Sequence, residues 1–391
     1  MWKRFIGFLR CPICRSALAL EASTEIVVPI SADSVRLAEE RGLAGPEFNK
    51  YVEMGLLCCG GCRSAFPIFR GLPILLPYQT LAHEEFNRRF DRASRTPLDR
   101  YRFPSSQPAA GEELVLRSFS REWLNYDYDG VIWELSYDDH EQRFLAEVGR
   151  EPGRQSSDEP TRTFLEVGCG IGITTYLAHK NFGADAVGLD LSDAALRAAT
   201  HYKTNPFLHF VQASAFAPPF ADDFFDLIYS RGVLHHTFST REAFRIVARL
   251  CRPGGRMYLW VYGPGSITSS PLRRALYVSE IVLRRILSHQ PPGVATVALS
   301  PIALAYMSFN AFRHAQTPEI QRLSYARALH AARDRFTPRY AHRHGESEVT
   351  RWFEEAGFKD IDVVDWRSMP RADHDDYRRN VGVRAMRAGR I

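Results

Sequence analysis

The 391-residue chain reads as an α/β protein, a mostly parallel sheet with helices on both faces, preceded by a small metal-stapled segment. Three observations predict this. From Thr163 onward, short apolar runs alternate with helical stretches, the pattern of successive strand–helix–strand units. Glycines at 168, 170 and 172 directly follow the apolar run Thr163 to Val167, so a strand turns sharply into a helix where a Cβ would fill a ligand's space. Near the N-terminus, four of the seven cysteines form two C-x-x-C pairs, Cys11 with Cys14 and Cys59 with Cys62. An apolar fraction of 45% and a charged fraction of 24% exclude wholesale disorder, and a net charge of +5 speaks of local basic patches.

Taken in order, the N-terminus M-W-K-R-F-I-G-F-L-R has no apolar core of signal length before Cys11, which predicts a cytoplasmic protein. Two residues between thiolates let both sulfurs of a tight turn reach one ion, and two such turns complete a tetrahedral Zn²⁺ site with bonds of about 2.3 Å. Cys58 adjoins the second pair but breaks its spacing, so Cys59 is preferred; a redox motif is the runner-up for either pair. Helix is predicted for the insert Ser31 to Met54 between the pairs. The sequence L-R-C-P-I-C-R-S-A-L, followed by L-L-C-C-G-G-C-R-S-A-F-P-I-F-R-G-L-P-I-L-L-P, resembles small zinc-ribbon proteins that bind and activate methyltransferases acting on tRNA, ribosomal RNA and release factors. The resemblance covers residues 9 to 77 and implies an activator fused to its enzyme. A ribbon that only stabilises the fold is an equal reading, because so small a segment needs the metal to fold; nucleic-acid binding is a third.

Residues 81–160 read as a connector and helical cap. His83 to Arg102 is strongly charged, Phe103 to Gly111 is rich in Pro, Ser and Ala, and Glu112 to Gly149 is amphipathic, with Phe119, Trp123, Tyr126, Tyr128, Trp133 and Tyr137. Gly149 to Pro160 reads as a polar linker.

In the core, residues 161–263, strands are predicted at 163 to 167, 185 to 189, 207 to 212, 225 to 230 and 256 to 262. A dinucleotide fingerprint would place its third glycine at position 173, which is Ile173. The run Glu166-x-Gly168-x-Gly170-x-Gly172 instead resembles the first motif of class I S-adenosylmethionine-dependent methyltransferases. The resemblance implies a Rossmann-like seven-stranded sheet and S-adenosylmethionine as cofactor. It also implies that Asp190, 18 residues after Gly172, accepts the ribose hydroxyls beside Leu191, and that Ser214 and Ala215 border the adenine. Ser214 departs from the aspartate common at that position. F-D-L-I-Y-S-R-G-V-L-H-H-T resembles the family's fourth-strand region, placing Ser230 and Arg231 by the cofactor and His235 and His236 near the substrate; Leu250 to Arg256, with Pro253 and Gly254-Gly255, resembles its turn before the fifth strand. His235 is the candidate general base, since histidine titrates near neutrality; a purely structural histidine is its alternative.

Residues 264–345 are too long for a loop and read as a helical lid insertion. Between Gly263 and Gly345 eleven arginines face Glu280, Glu319 and Asp334, and the nineteen residues Val294 to Phe312 carry no charge. A buried helix pair, a membrane-surface lid giving peripheral membrane contact, and a true span are the three readings. Tyr340 and His344 are candidate substrate-binding residues. In residues 346–391, Ser347 is expected to cap a helix that Gly357 ends, followed by two strands, Asp360 to Trp366 and Val381 to Arg387, the last pair antiparallel. A resemblance to methyltransferases of type 11, the quinone-biosynthesis kind, implies O- or C-methylation of a small-molecule or lipid-like intermediate. An RNA or protein methyltransferase, or a non-catalytic partner keeping the fold, are the alternatives.

Overall fold

The two cysteine turns sit on a four-stranded antiparallel sheet, β1 (Ala19–Val27), β2 (Lys50–Cys58), β3 (Ala65–Phe69) and β4 (Leu72–Pro73), in that order. This computed structural model describes residues 1–90, 97–123, 128, 135–150, 161–265, 271–316 and 322–389; the expectations for Tyr126, Trp133 and the linker 151–160 lie outside them. Between β1 and β2 runs α1 (Ala32–Glu40), whose N-cap Ser31 accepts the Ser34 amide. The helix predicted to reach Met54 therefore stops early. Gly42 adopts φ +64°, and Lys50 to Cys58 pairs with β1 instead, because pairing lets Val52, Leu56 and Leu57 be buried. The connector adds α2 (Leu81–Arg89), α3 (Glu112–Trp123) and α4 (Tyr137–Glu147).

The second sheet holds β5 (Thr163–Val167), β6 (Asp185–Asp190), β7 (Leu208–Gln212), β8 (Phe225–Arg231), β9 (Cys251–Val261), β10 (Phe358–Val363) and β11 (Val381–Arg387), in the order β10-β11-β9-β8-β5-β6-β7. Strands β5 to β9 are parallel and β11 is antiparallel to both its neighbours, so the last pair is as expected. Strand β9 begins five residues before its predicted start at 256, because the Arg252–Gly255 turn is taken up in the strand as a register shift. Order reverses at β5, which lies between β6 and β8, and a crevice opens at the carboxyl ends there.

Helices α5 (Ile173–Phe182), α6 (Ala194–His201) and α7 (Thr240–Ala248) link these strands, and α8 (Pro271–Leu287), α9 (Pro292–Gln316) and α10 (Tyr325–Phe336) make the lid. The uncharged run falls in α9, but a buried pair is only half realised. Leu299 and Ala303 pack on Ala328, Leu329 and Ala332 of α10, while Val294, Val297, Leu304, Phe309 and Phe312 are exposed. Helix α11 (Glu346–Glu355) is preceded by Gly345, not Ser347, at its cap, and Gly357 ends it at φ +78°. A short α12 (His374–Tyr377) precedes β11.

The first sheet is not a separate lobe. Phe5, Leu9, Cys11, Phe66 and Leu75 share one apolar cluster with Leu165, Val187, Val211 and Ile228 of the large sheet. Ile74 pairs in parallel with Gln212, and the Leu75 amide donates to the Gln212 carbonyl at 2.8 Å, so the N-terminal segment covers the otherwise open edge of β7. Arg4 to Asp185 at 3.0 Å and Phe5 stacked on His209 at 4.6 Å reinforce the join.

Candidate active site

The crevice is a cavity of about 1190 Å³, larger than a drug-sized ligand needs and roomy enough for two molecules side by side. Its floor is the turn after β5. Gly168 (φ +81°) and Gly170 (φ +52°) hold left-handed backbone, and a Cβ on them would come within 2.1 Å of Val233 and 2.5 Å of the Trp123 ring. Only glycine lets α3 close this tightly over the turn.

Two carboxylates face the turn. Asp190, at the end of β6, accepts the Gly170 amide at 2.7 Å and the Ser192 amide and hydroxyl at 2.8 and 2.6 Å. Burial raises its pKa against those bonds. Glu166, enclosed at the end of β5, accepts the Thr175 hydroxyl at 2.5 Å, and burial pushes its pKa up to about 8. Such a pair suits a ligand bearing both hydroxyls and a positive charge. A third carboxylate comes from the cap. Glu112 of α3 accepts the Ser214 hydroxyl and, at 3.0 Å, the Ala109 amide, placing a buried carboxylate beside Ala215, where Ser214 itself supplies only a hydroxyl.

The far end of the cavity is aromatic and titratable. His236 has its Nδ1 2.7 Å from the Tyr340 carbonyl; a carbonyl only accepts, so Nδ1 carries the proton and Nε2 is left as the basic nitrogen. That Nε2 lies 3.9 Å from Asp334 Oδ1, and Asp334 also accepts the Tyr262 hydroxyl. Burial lowers the His236 pKa, so the ring is neutral and able to take a proton at pH 7. Phe119 packs 5.2 Å from His236, and Trp260, Tyr262, Asn310, Arg313 and Leu323 complete the wall. Arg231 is fixed by Glu147 at 2.8 Å and Asp376 at 2.6 Å, with its guanidinium 4.5 Å above Trp260, so β8, α4 and α12 meet at one cation. Glu147 also accepts the Tyr258 hydroxyl at 3.0 Å and those of Tyr229 and Tyr377.

Of the residues expected at a site, Glu166, Gly168, Asp190, Leu191, Ala215, Arg231 and His236 line this cavity. Gly170 and Gly172 shape the turn from behind it; a Cβ at Gly172 would meet Phe210 at 2.6 Å. Ser214 and Ser230 are buried beside it, Ser230 donating to the Val167 carbonyl at 3.2 Å and so tying β8 to β5. His235 is fully buried away from the cavity, its ring 4.0 Å from that of Tyr262, and neither ring nitrogen has a hydrogen-bond partner. It faces the core because two successive residues of a short helical turn cannot face the same way, and His236 takes the cavity. Tyr340 and His344 are also outside the lining: the Tyr340 hydroxyl donates to the Ala110 carbonyl at 3.0 Å, and His344 lies between Glu348 and Thr240, at 3.0 and 2.9 Å. Sequence reasoning missed Glu112, Tyr262 and Asp334. Tyr262 stands just past the end of β9, where the strand-end rule points. Asp334 is one of three acids in the basic insertion.

Outside the cavity lining, the sulfurs of Cys11, Cys14, Cys59 and Cys62 lie within 4.8 Å of one another. The two turns match bond for bond: the Arg15 and Arg63 amides donate to the Cys11 and Cys59 carbonyls at 2.9 Å, and the Cys11 and Cys59 amides to the Ser16 and Ser64 carbonyls at 2.8 Å. Four convergent thiols on paired turns fit a tetrahedral metal ion. Cys58 is buried outside the quartet, its thiol pushed up to about 12 by burial.

Compared with known proteins, residues 165–259 match the family model described as methyltransferase domain. Phosphoethanolamine N-methyltransferase 3 of Arabidopsis thaliana is 32% identical over 145 residues, 35% of this chain and 29% of that protein. Phosphoethanolamine N-methyltransferase 2 of Caenorhabditis elegans is 22% identical over 271 residues, 66% of this chain and 59% of that protein. The chain thus spans from under a third to somewhat over half of these two relatives. O-methyltransferase rstn1 of Aspergillus nomiae is 30% identical over 162 residues, which are 39% of this chain and 72% of that protein.

Proposed function

We propose, from the premise that the chain belongs to the S-adenosylmethionine-dependent methyltransferase family, that it methylates an oxygen or carbon of a small, largely apolar or lipid-like acceptor. One observation carries the reading: a single cavity joins the Glu166–Asp190 turn to a neutral His236 in an aromatic wall. S-adenosylmethionine, when bound, supplies a methyl group already activated by the adjoining sulfonium. Glu166, Asp190 and Glu112 would hold its charged, ribose and adenine parts. The chain's remaining work is to orient an acceptor in line, exclude water and remove a proton.

His236 is suited to that last task. Its Nδ1–H is pinned by the Tyr340 carbonyl, so Nε2 can accept the proton of an acceptor hydroxyl, and Asp334 stands by to stabilise the imidazolium that results. His236, not His235, is the base in this reading. Phe119, Trp123, Val233 and Trp260 give the cavity the apolar surface a ring or hydrocarbon acceptor would bury. The similarity to an O-methyltransferase supports oxygen as the acceptor atom. The Cys11, Cys14, Cys59 and Cys62 quartet would bind Zn²⁺ as a structural ion that holds the segment covering β7.

The test is formation of S-adenosylhomocysteine by purified protein offered a panel of apolar phenols and enols, then short peptides and RNA. Turnover with apolar hydroxyl compounds is expected; turnover confined to RNA or peptide would overturn the acceptor class.

A further inference from the structure

Helix α8 is built inside out. It buries Glu280 and Arg284, which pair at 2.6 Å and are joined by Arg335 at 2.7 Å and Arg343 at 3.2 Å. The opposite stripe, Val278, Ile281, Val282 and Ile286, is exposed. A helix at home in water does the reverse. Helix α9, which follows it and like it packs on α10, is 25 residues long and carries no charge from Gly293 to Phe312, yet Val297 is 74% and Phe309 65% exposed. Its length and composition would suffice to cross a membrane, but only 17% of its apolar window is buried. So much exposed apolar side chain on two successive helices marks a contact surface.

Charge decides what covers it. Arg274 and Arg285 flank the exposed stripe of α8 and are exposed, as is Arg322 before α10. Among the described residues of the lid the acids are Glu280, buried in its arginine cluster, and Asp334, bonded to Tyr262 inside the cavity. Among the described residues, the exposed charged side chains that α8 and the approach to α10 place beside these apolar stripes are basic, and Arg313 at the end of α9 pairs with Asp375 at 3.1 Å. Two such faces repel one another, whereas anionic headgroups above an acyl layer complement both parts. Leu299 and Ala303 are committed to α10, which leaves the exposed stripe of α9 to meet a surface.

We propose that the outer face of α8 and α9 docks on the surface of a bilayer containing anionic phospholipid. Phe309 and Phe312 on that face adjoin Asn310 and Arg313 of the cavity wall, so docking sets the cavity mouth against the lipid. This last step rests on the lipid-like acceptor proposed above; the docking itself does not.

The test is co-sedimentation of the full chain with phosphatidylcholine vesicles made with and without phosphatidylglycerol. The wild type should sediment, more strongly with phosphatidylglycerol. The double variant Val297→Asp, Leu304→Asp should lose about tenfold or more in partitioning, and Arg274→Glu with Arg285→Glu should lose the preference for anionic vesicles. S-adenosylmethionine affinity, measured by calorimetry on the same samples, should be unchanged, which verifies folding and separates failure of docking from failure of the methyltransferase reading. Wild type left in the supernatant with both vesicles, or equal sedimentation of the aspartate variant, would overturn the proposal. So would light scattering showing a wild-type dimer that the aspartates make monomeric, since a second copy would then cover the face.

Discussion

Lowering the pH from 8 to 6 should weaken S-adenosylmethionine binding steeply, because of Glu166. Burial lifts its pKa to about 8, with the Thr175 and Thr174 hydroxyls opposing the rise. Below that pH the free pocket holds a neutral carboxyl, while the cofactor's ammonium calls for a carboxylate, so binding expels a proton. Affinity should then fall on the order of tenfold between pH 7 and 6. Between pH 8 and 7 the fall is smaller, about threefold, because the cofactor's own α-amino group, with a pKa near 8, is half deprotonated at the upper end. Calorimetry in two buffers of different ionisation enthalpy should count about one proton released per cofactor at pH 7. Glu166→Gln forfeits a charge-assisted bond worth roughly 1.5–3 kcal/mol, a ten- to hundredfold loss of affinity at pH 8. Its residual affinity should be flat from pH 6 to 7, with no proton released. A wild-type Kd that does not move over this range, or a variant that keeps the full slope, would refute the assignment of Glu166 to the cofactor's charge.

The raised pKa of Glu166 also costs the free fold stability: its destabilisation is absent below the unfolded value near 4.5 and grows as pH rises toward 8. Cofactor-free Glu166→Gln should thus melt above the wild type at pH 8.5, with the gap closing toward pH 5. His236→Ala should lower kcat by about two to four orders of magnitude while S-adenosylmethionine Kd stays within about threefold; His235→Leu, which removes two unpartnered buried nitrogens, should leave kcat intact. Equal losses in both variants would remove His236 from the proton transfer. Glu112→Ala should weaken cofactor binding by about tenfold, read by calorimetry; an unchanged Kd would assign Glu112 to packing alone. Metal analysis should find about one zinc per chain, and stripping it, or Cys62→Ser, should lower Tm and loosen cofactor binding together, because the segment that carries the four cysteines covers the β7 edge, which ends two residues before Ser214. A metal-free protein with unchanged Tm would contradict this.

What the sequence disclosed was local. The glycine turn and the two C-x-x-C pairs each place their chemistry within a few residues, so spacing located them, while the family resemblance added Asp190, 18 residues after Gly172 at a strand end. Glu112 was invisible because its partner Ser214 is 102 residues away, and nothing near Glu112 marks that meeting. The pairing of His236 with Asp334 hides in the same way, whereas the choice between His235 and His236 hung on the rotation of one short turn. The insert at Ser31 to Met54 was misjudged because β2 gains its stability from pairing with β1 and β3, which a helical reading of composition does not count. An uncharged run such as Val294 to Phe312 likewise marks α9 as apolar without saying which of its faces packs on α10.

The central claim, one cavity for cofactor and an apolar acceptor, is tested most directly by incubating the protein with methyl-labelled S-adenosylmethionine and an extract of its own cells. Organic-soluble, RNA and protein fractions are then separated, with Asp190→Ala as the control. Label in the organic-soluble fraction, abolished in the control, is the predicted result; label in RNA or protein, or none in any fraction, would contradict it.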